Sequence, residues 1–368
     1  MKITGIRIQR LRRELDPPFH AAWDPVPRRH VDATIVYVET DEGVVGVGSG
    51  DTMDGFEAYE GLFLGTDPLN IVEQVRRIET VNFHAGRFWP LEVALWDIIG
   101  KAADLPVTHL FGGAQKKLAA YASTGELRDP AQRAESAVAI RAAGFQAMKI
   151  RVDPRKPAAG VASVRAAREA VGDSLEIMVD LNQSWAMAGD TRVPQDYVAV
   201  RRIVEQLRDL DVFWVEEPLP YADREGLTRL RRETGVRVAA GEMISSVAEV
   251  VQLLEQDVLD VYQMDVVLAV GMLRARTLAE LAAHKNRMFT PHSWTNGIGV
   301  LANLHVSAGV GGGPYFEFPY DPPGWTPERR DFMLTAPVDI DAEGYVLVPD
   351  APGLGAQIDE EACARWQR

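Results

Sequence analysis

The most restrictive feature of this sequence is a regular alternation of short apolar runs with longer charged segments, which begins near Leu118. The charged segments have helical spacing, as in Pro130–Ala143, Ala162–Val171 and Asp196–Leu207. Such alternation is typical of parallel strands joined by helical crossovers. The apolar runs end near Ser123, Arg151, Asp180, Glu216, Glu242, Asp265, His292 and Glu317. Because a closed TIM-type (β/α) barrel requires eight strands, these runs predict an α/β barrel fold.

The residues before the barrel predict a separate α+β domain. Strand-like runs near residues 3–11, 33–39 and 44–48 indicate an antiparallel meander, and helical spacing follows from about Asp67 to Asp104. After Glu317 come a Pro-rich loop, a hairpin-like stretch and a final helix, which we expect to pack back on the first domain. The domains expected are a capping domain (1–117), a catalytic barrel (118–320) and a C-terminal segment that completes the capping domain (321–368).

Composition excludes several classes of protein. A length of 368 residues fits one barrel plus an accessory domain, and the formal net charge of −14 disfavours nucleic acid or an anionic membrane surface as a partner. No apolar stretch approaches the roughly 20 residues that span a bilayer, and the N-terminus lacks a secretory signal, so a cytoplasmic location is expected. The single cysteine, Cys363, excludes a disulfide framework and a cysteine-cluster metal site. The sequence contains no Gly-rich phosphate-binding loop in the required context, so nothing in it indicates a nucleotide cofactor.

Three successive predicted strands end in acidic residues: Asp180, Glu216 and Glu242. Active sites of β/α barrels lie at the C-terminal ends of the strands, so these side chains are expected to meet at the barrel mouth. One strand-end acid alone is as often a helix cap or a surface ion pair, but three in succession favour a functional site. Carboxylates without histidine or thiolate are hard oxygen ligands, which predicts a Mg²⁺ site in which Mn²⁺ can substitute.

Short motifs extend along nearly the whole chain. They are Ala94-Leu95-Trp96-Asp97, Leu110-Phe111-Gly112-Gly113, Met148-Lys149-Ile150-Arg151, Val179-Asp180-Leu181-Asn182-Gln183, Trp214-Val215-Glu216-Glu217-Pro218, Gly241-Glu242, Gln263-Met264-Asp265, Pro291-His292-Ser293-Trp294 and Pro352-Gly353-Leu354-Gly355. Several are weak alone, but in this order they are very specific. With them the chain resembles the enolase superfamily, and within it the mandelate racemase subgroup.

The resemblance implies roles for the polar strand ends. It implies Asp180, Glu216 and Glu242 as Mg²⁺ ligands, with Glu217 as a neighbour rather than a ligand. It also implies that His292 and Asp265 form a dyad. An imidazole with an unperturbed pKa of about 6.5 can take and return a proton near neutral pH, and a carboxylate fixes its tautomer.

The resemblance further implies a small carboxylate substrate whose α-proton is removed to give an enediolate. Lys149 would add positive charge at the substrate carboxylate, and Glu317 matches the position that shares a proton with its other oxygen. Substrate selection in the family comes largely from two cap loops, here about residues 17–24 and 48–55. They contain His20, Trp23 and Asp51, and Asn182 follows the first metal ligand, although an ordinary loop role is open for each. The resemblance also implies that the chain forms a homo-oligomer, a dimer or an octamer.

One position departs from the racemase pattern and bears on the reaction. Lys149 and Arg151 lie two apart on one strand, so both point into the barrel mouth. In the racemase itself both positions are lysine, and the second is a base on the face opposite the histidine. The guanidinium of Arg151 stays protonated, which disfavours two-base racemisation.

One base, His292, suffices for removal of the α-proton followed by loss of a β-hydroxyl. The main hypothesis is therefore a Mg²⁺-dependent hydro-lyase, an acid-sugar dehydratase that converts an aldonate or aldarate to its 2-keto-3-deoxy acid. The alternative is an isomerase, a racemase, epimerase or cycloisomerase of a carboxylated substrate, with Lys149 or Arg151 as the second acid/base. A binding protein that kept the metal site without activity is a third hypothesis, which the complete set of polar strand ends disfavours.

Overall fold

The computed structural model describes residues 1–368 and contains two sheets. The strands are β1 (Ile3–Phe19), β2 (Arg28–Thr40), β3 (Val45–Ser49), β4 (Lys117–Ser123), β5 (Ala147–Arg151), β6 (Glu176–Asp180), β7 (Val215–Glu216), β8 (Val238–Ala240), β9 (Val261–Tyr262), β10 (Met288–Phe289), β11 (Phe316–Pro319) and β12 (Tyr345–Leu347). The α-helices are α1 (Ile71–His84), α2 (Trp89–Ala103), α3 (Val107–Leu110), α4 (Pro130–Ala142), α5 (Pro157–Val171), α6 (Tyr197–Arg208), α7 (Arg224–Thr234), α8 (Val247–Glu255), α9 (Met272–His284), α10 (Gly297–Val310), α11 (Pro327–Arg330) and α12 (Glu360–Trp366). None of these helices combines the length and the apolar character needed to cross a bilayer.

The larger sheet is the predicted barrel. Its eight parallel strands, β4 to β11, lie in the order β10-β9-β8-β7-β6-β5-β4-β11 and alternate with helices. Backbone pairing is open between β10 and β11, where Pro291 has no N–H to donate toward β11. Side-chain and loop bonds bridge this seam instead, because Ser293 Oγ donates to the carbonyl of Glu317 at 2.6 Å and the N–H of Gly313 donates to the carbonyl of Phe289 at 3.0 Å. The expected barrel fold is confirmed, with one seam held outside the strand ladder.

A packed plug fills the barrel below its mouth. A small buried cluster inside the strands contains Tyr121, Ala147, Met178, Trp214, Ala239 and Val261. A larger core lies between the strands and the surrounding helices. Because the plug closes the interior, access is confined to the C-terminal ends of the strands.

The N-terminal region forms the predicted three-stranded antiparallel meander, β1-β2-β3, with α1 and α2 beside it. Strand β3 approaches α2 so closely that a Cβ at Gly48 would lie 1.9 Å from the carbonyl oxygen of Pro90. Glycine is therefore required at this contact.

The C-terminal tail contacts both units rather than the first domain alone. Strand β12 pairs antiparallel with β4 of the barrel, whereas the N–H of Leu354 donates to Asp97 Oδ1 at 2.8 Å in the capping domain. The hairpin-like stretch thus also contacts the barrel through β12, which was not expected because antiparallel pairing with a barrel strand leaves no signal in local sequence. The domain division at residues 117/118 and 320/321 stays a prediction.

A buried histidine joins α10 to the capping domain and the tail. His305 Nδ1 accepts the N–H of Thr108 at 3.0 Å, and Nε2 lies 3.0 Å from the carbonyl of Leu354, to which it donates. Burial, aided by the nearby His109, lowers the pKa of His305 from 6.5 to about 4. The imidazole is therefore neutral in the folded protein near neutral pH.

The lowered pKa of His305 predicts that the folded protein loses stability in acid. Between about pH 6.5 and pH 4 the unfolded chain binds a proton at His305 that the folded protein does not, so the free energy of unfolding falls as pH falls, by about 3 kcal/mol from this group. Urea unfolding at pH 7 and pH 4.5 measures the change. His305→Gln should show a smaller acid-induced loss than the wild type, and equal losses in both would contradict the assignment.

Candidate active site

Three carboxylates converge at the barrel mouth. Asp180 and Glu216 are the last residues of β6 and β7, and Glu242 follows β8 after Gly241, whose φ is 116°. One oxygen from each lies within 4.8 Å of the others, and the three side chains are buried. Parallel neighbouring strands bring their C-terminal ends to one edge, which is why side chains far apart in sequence meet here.

The cluster fits a divalent cation. Oε1 of Glu242 accepts the indole N–H of Trp185 at 2.7 Å, whereas Oε2 has no hydrogen-bond partner. Burial raises the pKa of Glu242, although His292 opposes this, so the ionised carboxylate lacks full compensation. Oxygen ligands with unmet charge in a buried site are the arrangement that hard cations prefer.

Lys149 lies against the same cluster. Its Nζ is 2.5 Å from Glu216 Oε1, 2.7 Å from Glu317 Oε1 and 3.7 Å from Asp180 Oδ2, and the side chain is buried. Burial alone would raise the pKa of Glu317, but Lys149 overrides it and the pKa falls well below its usual range. Glu317 is therefore ionised beside Lys149, and its proton-sharing role stays a prediction.

His292 and Asp265 are in contact. Nδ1 of His292 lies 2.8 Å from Asp265 Oδ2, and Nε2 lies 3.7 Å from Glu242 Oε2. The bond to Asp265 assigns the proton to Nδ1 and turns Nε2 toward the metal cluster. Burial alone would lower the pKa of His292, but Glu242, Glu317 and Asp265 raise it to about 10. Neutralising Glu242 with a cation would lower this pKa and favour the basic form.

Arg151 is held on several sides. Its Nε donates to the carbonyl of Thr124 at 2.9 Å, and Nη1 donates to Asp180 and, at 3.3 Å, to Asn182 Oδ1. The guanidinium carbon lies 4.6 Å from the ring centroid of Trp23, in the capping domain. These contacts hold the guanidinium of Arg151 in place beside the carboxylate of Asp180.

The four loop candidates differ in placement. Trp23 and Asn182 both touch Arg151 and line a cavity of about 240 Å³. Asp51 lines a separate cavity of about 710 Å³ and pairs with Arg87 at 2.9 Å. His20 is exposed, and its backbone N–H donates to Glu126. The structure therefore brings Trp23 and Asn182 to the polar strand ends, but gives His20 no hydrogen bond to them.

Two side chains that support the cluster were missed as site residues. Gln263 Nε2 donates to Glu216 Oε2 at 2.8 Å, and the indole N–H of Trp214 approaches the same oxygen at 3.3 Å. Gln263 lies two residues before Asp265 on one extended segment, so its side chain also faces the barrel mouth. This two-residue spacing was the sequence signal that could have identified Gln263 as a site residue.

Comparison with known proteins agrees with this architecture. Residues 3–112 match the mandelate racemase/muconate lactonizing enzyme N-terminal domain, and residues 132–362 match the enolase C-terminal domain-like family. A D-galactarolactone cycloisomerase of Agrobacterium fabrum is 28% identical over 100% of this chain and 99% of its own length. An arabinonate dehydratase of Saccharolobus solfataricus is 28% identical over 73% of this chain and 68% of its own length.

A solved structure gives the same fold. The crystal structure of a racemase from Streptomyces coelicolor with bound magnesium superposes with a TM-score of 0.83 at 26% identity, covering 100% of both chains. The relatives thus include lyases and isomerases. From the matches to both domain models, this chain belongs to the mandelate racemase/muconate lactonizing enzyme family of the enolase superfamily.

Proposed function

We propose that this protein is a Mg²⁺-dependent acid-sugar dehydratase, which converts an aldonate or aldarate to a 2-keto-3-deoxy acid. The observation that carries the proposal is the presence of one available base at the mouth. His292 has a free Nε2, whereas Arg151 is engaged by hydrogen bonds and stacked on Trp23. Lys149 is held by Glu216 and Glu317. One base on one face supports elimination rather than inversion.

The first step is removal of the proton on C2 of the substrate. Nε2 of His292 takes this proton, and the electron pair of the C–H bond moves toward the substrate carboxylate. Asp265 holds the Nδ1–H and stabilises the imidazolium that forms. Asp180, Glu216 and Glu242 would hold a divalent cation, which would supply positive charge where the carboxylate gains electron density. Lys149 adds a second positive charge at the same place.

The second step is loss of the hydroxyl on C3. The electron pair returns to form a C2=C3 double bond, and the imidazolium of His292 protonates the departing hydroxyl, which leaves as water. The resulting enol tautomerises to the 2-keto-3-deoxy acid. The imidazole ends in its starting form, and water can carry the proton of the enol hydroxyl to C3 in the tautomerisation.

Substrate contacts are proposed for the rest of the mouth. Trp23 and Asn182 flank Arg151, and Asp51 lies in the wall of the larger cavity, where a carboxylate can accept hydrogen bonds from hydroxyl groups. A polyhydroxylated acid suits such a surface, and one of the relatives is an arabinonate dehydratase. His20 would require movement of its exposed segment to contribute.

An isomerase is the second candidate, favoured by the cycloisomerase relative that aligns over 99% of its length. In that case Lys149 or Arg151 would have to exchange a proton with the substrate. Both are paired with carboxylates, and each would first have to lose those partners. This requirement is the physical reason for placing dehydration first.

A panel of aldonic and aldaric acids tests the proposal. Wild-type protein with Mg²⁺ should form a semicarbazide-reactive keto acid from at least one of them, and EDTA treatment should prevent it. Each substrate is also followed by proton NMR in D₂O. Deuterium at C2 with inversion and no keto acid would support the isomerase instead, and keto acid formed equally after EDTA treatment would refute the metal-dependent route.

A further inference from the structure

A polar side chain lies in the middle of a buried helix that is largely apolar. Asn303 belongs to α10, whose buried positions include Val300, Leu301, Ala302 and Leu304, and it is itself 0% exposed. Asparagine is a poor helix former, and a buried amide is unfavourable unless it is hydrogen-bonded. A buried asparagine here therefore calls for a specific set of partners.

Those partners belong to the segment that carries Asp265. Nδ2 of Asn303 donates to Asp265 Oδ1 at 3.1 Å and to the carbonyl of Gly299 at 3.2 Å. Oδ1 of Asn303 accepts the N–H of Val266 at 3.1 Å. The opposite amide orientation would set Oδ1 against two acceptor oxygens, so the contacts define which way the amide points.

Asp265 is fixed at both of its oxygens. Oδ1 accepts the N–H groups of Val267 at 2.8 Å and Leu268 at 3.3 Å, in addition to Nδ2 of Asn303. Oδ2 is left to pair with His292 Nδ1. Among these donors to Oδ1, Asn303 comes from a different element, the helix that follows His292. It therefore links the two segments that carry the dyad.

From this geometry we infer that Asn303 is a positioning residue of the dyad: it holds Asp265 in the orientation that directs Oδ2 to His292. The inference rests on the proposed function, since it assigns a purpose to the pairing of Asp265 with His292. Asn303 makes no hydrogen bond to Asp180, Glu216 or Glu242. Its effect should therefore appear in proton transfer and not in metal binding.

Two substitutions at Asn303 separate positioning from packing. Asn303→Leu keeps similar volume but removes the donor to Asp265. Asn303→Asp keeps the acceptor for Val266 and places a second carboxyl group against Oδ1, so the pair must share a proton and His292 loses an ionised partner. Ser307→Ala is the matched control, because Ser307 is buried in α10 one turn later and its Oγ has no partner.

On a substrate that the wild type turns over, Asn303→Leu should lower kcat about 10-fold and Asn303→Asp about 100-fold, with KM changed less than about threefold. Mg²⁺ affinity, measured by calorimetry, should match the wild type in both. Ser307→Ala should keep wild-type kcat. Wild-type kcat in Asn303→Asp, or an equal loss in the control, would overturn the inference.

A second readout does not depend on the substrate. The Mg²⁺-loaded wild type should show a downfield proton resonance from His292 Nδ1–H hydrogen-bonded to Asp265, which is assigned by its loss in His292→Asn. The resonance should persist in Ser307→Ala and disappear or shift in both Asn303 variants. Its persistence in those variants, or its absence from the wild type, would overturn the inference even if every tested acid sugar proved inert. Inert substrates with the expected resonances would instead count against the proposed reaction alone.

Discussion

Replacement of His292 by asparagine is expected to lower kcat by about 10³-fold or more on any acid sugar that the wild type converts. The asparagine side chain can still donate one hydrogen bond toward Asp265, where His292 Nδ1 now lies 2.8 Å from Oδ2. It has no atom equivalent to the basic Nε2, so the local structure should survive while proton abstraction is lost. Initial rates of keto-acid formation measure the effect.

The control for this variant is His284→Asn, at the exposed end of α9, which should keep wild-type kcat. Mg²⁺ affinity of His292→Asn should not fall below that of the wild type, since His292 is expected to act on the substrate and not as a ligand, and its positive charge beside Glu242 is removed. A His292→Asn protein that retains more than about a tenth of the wild-type kcat would show that another group removes the proton.

Replacement of Glu216 by glutamine is expected to weaken Mg²⁺ binding by about 100-fold or more, because an anionic ligand is lost in a buried site where charge is poorly screened. The substitution also removes one of the carboxylate partners of Lys149, which lies 2.5 Å from Glu216 Oε1, so the charge of that ammonium is less neutralised beside the cluster. Both effects disfavour the metal. Calorimetric titration of EDTA-treated protein with Mg²⁺ measures the affinity, and turnover should fall in parallel.

The adjacent Glu217 offers a matched control. It is equally buried, but it lies outside the three-carboxylate cluster and accepts a hydrogen bond from Tyr221. Burial, reinforced by Glu242, holds the pKa of Glu217 well above its usual range, so glutamine changes its charge little. Glu217→Gln should therefore keep Mg²⁺ affinity within about threefold of the wild type. Equal losses in the two variants would contradict the assignment of ligands.

The polar strand ends could be predicted because the barrel topology brings the residues that end successive strands together at one end of the sheet. Asp180, Glu216 and Glu242 each follow an apolar run, and parallel strands bring such positions to one edge. The pairing of His292 with Asp265 was implied by the family resemblance, and the structure sets the two side chains in contact. Their catalytic roles stay predictions.

Contacts between distant segments could not be predicted in the same way. Asn303 reaches Asp265 from 38 positions away, and Arg151 stacks on Trp23 from another domain. Hydrophobic periodicity indicates which face of a helix is buried, but it does not indicate which polar group from another segment lies opposite a buried amide. The pairing of β12 with β4 escaped prediction for the same reason, since local spacing does not specify a strand's partner.

The most direct test is the exchange of the C2 proton of acid sugars in D₂O, followed by proton NMR for the Mg²⁺-loaded wild type and for His292→Asn side by side. The expected result is loss of the C2 proton together with keto-acid formation in the wild type, and neither process in the variant. Exchange that continues undiminished in His292→Asn would contradict the proposal that this histidine removes the proton.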